Sequence, residues 1–180
     1  MERALHSWGT VTFWTMGVEH TRELRRRFLN LGIGEIVAAV IFCFAMAWAI
    51  SPIIASDSDR LAVWAALIPL VAILVQAGIY WLAARAWIGR GSMPQTMRTV
   101  YRCFRLVDAV LLAASLVAVV AMRPSAAALV LALAVWLFGV AEYVNYYVVR
   151  LAYPFSRWLV EVGHRRTPRL VKDMRDRSSA

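Results

Sequence analysis

Lysine is almost missing from this 180-residue chain: Lys172 stands alone among 20 basic residues, and the rest are arginine. We read that bias as the coding background of a GC-rich bacterial genome and attach no chemistry to it. Cysteine is scarce as well. Cys43 and Cys103 fall on different candidate helices at different depths, which argues against a disulfide and leaves both as small packing residues. Only 17% of the residues are charged against 61% hydrophobic, whereas soluble domains are roughly 45–50% apolar. Most of the chain therefore belongs in lipid.

Catalytic signatures are absent too. His6, His20 and His164 lack metal-ligand spacing, and neither a Gly-x-Ser-x-Gly elbow nor a phosphate-binding loop occurs. No cofactor and no metal are expected. The net charge of +9 comes without any nucleic-acid-binding module, so no nucleic-acid partner is expected. Residues 1–30 carry Arg3, Glu19, Glu23 and the run Arg25-Arg26-Arg27, with no short apolar core and cleavage site. The first long apolar stretch is thus expected to remain as an anchor.

What is present is four apolar stretches, at 31–51, 61–87, 104–122 and 125–149, each matching the about 20 residues needed to cross a bilayer. Pro52 and the polar run Ser56 to Arg60 end the first, the segment from Gly89 to Pro94 ends the second, and Arg123-Pro124 divides the third from the fourth. The predicted fold is all-α, an integral membrane bundle of four transmembrane helices with amphipathic cytoplasmic helices at the termini. Its divisions are a segment 1–30, a membrane domain 31–149 and a basic tail 150–180.

Basic residues fix the expected orientation. Residues 1–30 hold five, 88–103 three and 150–180 eight, against one in each remaining loop, Arg60 and Arg123. The positive-inside rule then places both termini and the middle loop in the cytoplasm, in a bacterial inner membrane. Trp48 and Trp64 fall near the outer ends, and Trp81, Trp87, Tyr101, Tyr143, Tyr146 and Tyr147 near the inner ends, as interfacial aromatics do. Trp136 is the exception, at mid-depth. Pro69 predicts a kink in the second helix.

Alanines at 114 and 118, and at 128 and 132, have the spacing that lets helix backbones approach, and predict a tight hairpin of the third and fourth helices. In the tail, Phe155, Trp158, Leu159 and Val162 recur at helical spacing beside Arg157, the pattern of a helix lying in the interface. Thr167-Pro168 reads as a fresh helix start. Leu24, Phe28 and Leu31 form a similar stripe ahead of the first span, with Glu23 four residues before Arg27.

Polar side chains inside the spans carry the functional signal: Glu35, Gln76, Asp108, Glu142 and Asn145, with Tyr80 and Arg105 nearby. Ionisable groups in a bilayer cost about 2.5–3.5 kcal/mol on insertion scales and are usually buried against partners or water. Their similar depths predict a pocket open to the cytoplasmic side, for a lipid headgroup, a cation or a segment of another protein. The plainer reading is mutual satisfaction: Arg105 with Asp108, Arg85 or Arg150 with Glu142, Gln76 with Asn145. Arg98 and Arg102 in the middle loop, and Arg150, Arg157, Arg165 and Arg166 in the tail, are candidate contacts for anionic phospholipids, although positive-inside topology alone also demands basic residues there.

Three functions remain open. The leading one is a non-enzymatic subunit that binds other membrane proteins or copies of itself. The second is a small oligomeric transporter or channel using Gln76, Glu142 and Asn145. The third, with least support, is an enzyme acting on a membrane lipid through its carboxylates.

Overall fold

Each long apolar stretch must satisfy its own backbone in lipid, and the α-helix does so within a single segment. The computed structural model describes residues 5–52, 54, 56–88, 92–148 and 168–175, with side chains from Thr21 onward except those of 173 and 175. These residues form α1 (Leu5–Phe44), continued by a six-residue π-helix (Ala45–Ile50), then α2 (Asp57–Trp87), α3 (Gln95–Ala121), α4 (Ala126–Tyr147) and the short α5 (Arg169–Arg175). No strand occurs among them. Four of the helices are long and apolar enough to cross a membrane, so the chain is an all-α, multi-pass membrane protein built as a four-helix bundle.

The turns follow from local chemistry. Pro52 cannot continue the helix ladder, and the last turn before it widens so that the Ser51 N–H donates to the Met46 carbonyl at 2.8 Å. At the other turn near this end, Arg123 takes a φ of 47° and the chain reverses at once into α4. Ser125 caps α4, its Oγ accepting from Ala128 N. Asp59, in the first turn of α2, binds Ser125 twice: Oδ1 accepts from the Ser125 N–H and Oδ2 from its hydroxyl, both at 2.7 Å. That pair ties the starts of α2 and α4 together.

α2 is the central helix, and α1, α3 and α4 pack around it. Its crossing with α1 is close because both helices carry glycine there. A Cβ on Gly32 would lie 2.7 Å from Leu82 Cγ and 3.0 Å from the Gly78 carbonyl, and one on Gly78 would lie 2.7 Å from Ile36 Cδ1. Small residues of this kind let membrane helices gain van der Waals contact.

The tight hairpin expected of α3 and α4 is not the main packing. Ala128 and Ala132 are buried, but α4 packs mainly against α2, while Ala114 of α3 is exposed and α3 buries Asp108, Leu112, Ser115 and Val119 instead. Helical period decides this: a small-residue pair is useful only on the stripe that faces a neighbour. The indole N–H of Trp136 donates to the Leu112 carbonyl of α3 at 2.9 Å, which gives this mid-depth tryptophan its polar partner.

Two buried clusters result. The half of the bundle near the 51–56 turn is apolar and close-packed around Val63, Ala66, Leu70, Val119 and Ala132. The other half, covered by α5, is rich in aromatic rings, with Phe28, Tyr80, Tyr101, Tyr146 and Tyr147 packed against Leu170 and Met174. α5 follows Pro168, and its apolar side closes this end of the bundle. The expected tail helix around Phe155 to Val162 lies outside the described residues, as does Thr167.

Candidate functional site

Polar groups of the aromatic-rich half fall into two sets rather than one. The first is a closed network among α2, α3 and α4. Gln76 Nε2 donates to Asp108 Oδ1 at 2.9 Å, the Tyr147 hydroxyl donates to Gln76 Oε1 at 3.3 Å, and the Tyr101 hydroxyl donates to the Gln76 carbonyl at 3.1 Å. Asp108 is fully buried, and its Oδ2 has no hydrogen-bond partner among the described residues. Tyr80, one turn beyond Gln76, is fully buried edge-on to Tyr101 at 5.6 Å between ring centres. Buried polar groups in lipid demand partners, and Gln76 meets that demand with both ends of its amide. Its partner is Asp108 rather than Asn145.

The second set surrounds a cavity of about 150 Å³ beneath α5. α1 supplies Leu31 and Glu35, α2 supplies Trp81, α4 supplies Asn145 and Tyr146, and Pro168, Arg169 and Leu170 form the roof. The Tyr146 hydroxyl donates to Glu35 Oε1, which joins α1 to α4. Glu142, one turn before Tyr146, lies within electrostatic range of Glu35 and is hydrogen-bonded by Asn145. The Arg169 guanidinium stands over the Phe28 ring, 4.8 Å from its centre, at the distance of a cation–π contact. Among the described residues the ion pairs are Glu23 with Arg27 and Asp57 with Arg60, both surface pairs. Glu35, Glu142 and Asp108 therefore have no ion-pair partner within that set.

The remaining site candidates lie outside this cavity. Arg98 donates to the Met93 carbonyl at 3.1 Å and Arg102 to the Met174 carbonyl at 3.1 Å, the latter tying α3 to α5. Arg105 accepts the Tyr143 hydroxyl through its backbone carbonyl, and its side chain, with those of Arg102, Leu106, Val171 and Met174, lines a separate open cleft. Arg150, Arg157, Arg165 and Arg166 lie outside the described residues.

Several participants escape sequence reasoning. Arg169, Tyr147 and Trp81 are brought to these sites by packing between helices, and no spacing within a helix announces them. Ser125 does carry a signal, a serine immediately before an apolar helical run, but its partner Asp59 lies in the first turn of another helix. No family model matches the chain, and no curated protein or solved structure matches it.

Proposed function

We propose that the chain is a non-enzymatic membrane subunit whose cavity beneath α5 receives a polar group from a partner protein. We further place it in a bacterial inner membrane with both termini and this cavity on the cytoplasmic side. The observation that carries the reading is that the cavity is blind. Ala62, Ala66, Leu70, Val119 and Ala132, at 0% exposure, close the bundle on its far side. A site that ends in packed apolar side chains binds an occupant and offers it no onward path. A transport route would have to run between copies of the chain.

The cavity's chemistry indicates the occupant. Its volume suits one side chain, and its lining brings the Glu35 carboxylate, with Glu142 in electrostatic range, together with the rings of Trp81 and Tyr146, while the Arg169 guanidinium of the same lining is turned to the Phe28 ring. A basic side chain satisfies both the carboxylates and the ring faces. The orientation rests on the unequal distribution of arginine between the two ends. The test is native mass spectrometry of the protein extracted gently from its own membrane. A defined complex with a different protein is expected. A lone monomer, or a homo-oligomer holding a small molecule, would overturn the reading.

A further inference from the structure

The open cleft between α3 and α5 is a different site from the cavity beneath α5, with a lining of its own. Arg102, Arg105 and Leu106 of α3 face Val171 and Met174 of α5 across a space of about 510 Å³. Arg98, Arg102 and Arg105 share one face of α3 at i, i+4 and i+7, and neighbours at such spacing lie about 5–6 Å apart. Arg102 and Arg105 are exposed, and neither has a carboxylate partner among the described residues. Arg102 uses one nitrogen on the Met174 carbonyl, which holds the guanidinium at the cleft while its other donors stay open.

An apolar track continues from these arginines. Leu106 is 71% exposed, and Val110, Ala113 and Val117 follow it at i+4, i+7 and i+11, all exposed on the same stripe. At 1.5 Å per residue the stripe runs roughly 17 Å, about half of a hydrocarbon core roughly 30 Å thick. Two guanidinium groups at the top of a leaflet-long apolar stripe match a phosphate ester with an acyl chain hanging from it. Arginine forks recognise phosphate oxygens in pairs. We propose that this cleft is a binding site for one anionic glycerophospholipid, its phosphate between Arg102 and Arg105 and an acyl chain along Leu106, Val110 and Val117. Because Met174 and Val171 form the far wall, the bound lipid also holds α5 in place. The site does not depend on what occupies the cavity beneath α5.

The test uses full-length protein in a neutral detergent, titrated with phosphatidylglycerol, phosphatidylcholine or inorganic phosphate and read by native mass spectrometry. One phosphatidylglycerol is expected to stay bound in preference to phosphatidylcholine. Arg105→Gln, which leaves the Arg102–Met174 bond intact, should weaken it roughly fivefold, the equivalent of about 1 kcal/mol per basic residue at an anionic surface. Arg102→Gln with Arg105→Gln should abolish the preference. Arg60→Gln, the same charge change at the other end of the bundle, should leave it intact. Equal retention of both lipids, or undiminished phosphatidylglycerol binding in Arg105→Gln, would overturn the proposal. So would displacement of the lipid by millimolar inorganic phosphate, which would make the site one for free anions.

Discussion

Gln76 links three helices of the bundle. Its side-chain amide donates to Asp108, accepts from Tyr147, and its carbonyl accepts from Tyr101, so one residue of α2 bonds α3 twice and α4 once. Gln76→Leu keeps the size but leaves Asp108 and the Tyr147 hydroxyl with lost partners. A buried unsatisfied group costs about 1–3 kcal/mol, and membrane hydrogen bonds average somewhat less. We expect Gln76→Leu to lower stability by about 1–3 kcal/mol in a detergent unfolding titration. Asp108→Asn should have a much smaller effect, because Oδ1 remains as acceptor and Oδ2 has no partner to lose among the described residues. A loss from Asp108→Asn as large as that from Gln76→Leu would contradict this account of the network. At this scale the sequence discloses which polar residues lie within the spans but not their partners. Intrahelical neighbours are legible from spacing, as Glu23 with Arg27 shows at 2.7 Å. Gln76 with Asp108, or Glu35 with Tyr146, depends on the rotation of one helix against another.

Elements are more legible than pairs, since about 20 apolar residues can cross lipid in few ways. Four membrane-length helices follow from four apolar stretches, and the two-residue break at Arg123-Pro124 is a true turn because Arg123 adopts a positive φ. The order of packing was not legible. Alanine spacing points to α3 with α4, whereas a close approach brings Gly32 of α1 to Gly78 of α2. Alanine occurs on every face of these helices, so its spacing alone selects no neighbour. The glycines give a sharp test with an internal control. Gly32→Ala places a methyl group against Leu82 and the Gly78 carbonyl, and should cost about 1–3 kcal/mol by overpacking. Gly34→Ala meets nothing within 4 Å and should be neutral or slightly stabilising, since alanine is favoured over glycine in helices by about 1 kcal/mol. Equal effects of the two substitutions in thermal unfolding would remove the crossing from the account. Asp59→Ala should loosen the opposite end by about 1 kcal/mol, the scale of a lost helix cap, through its two bonds to Ser125.

For the molecule as a whole, the unequal halves matter most. One half is a dry apolar plug, and the other holds aromatic rings, carboxylates and arginines under α5. Such an arrangement suits a binding subunit with one working end, and α5 contributes to both candidate sites, Arg169 and Leu170 to the blind cavity and Val171 and Met174 to the lipid cleft. In the proposed function the cavity opens to one side of the membrane only, the cytoplasmic side. Sidedness labelling tests it most directly. Cys43 and Cys103 are replaced by alanine, a single cysteine is introduced by Asn145→Cys at the cavity wall, and a membrane-impermeant maleimide is applied to intact cells and to inverted vesicles. Lys172, exposed on α5 and the only lysine in the chain, reports the same side through an impermeant amine reagent. Labelling of both positions in inverted vesicles and of neither in intact cells is the predicted result. Labelling of Asn145→Cys from outside the cell would contradict it, either by inverting the topology, if Lys172 reacts there too, or by opening a path through the plug, if Lys172 does not.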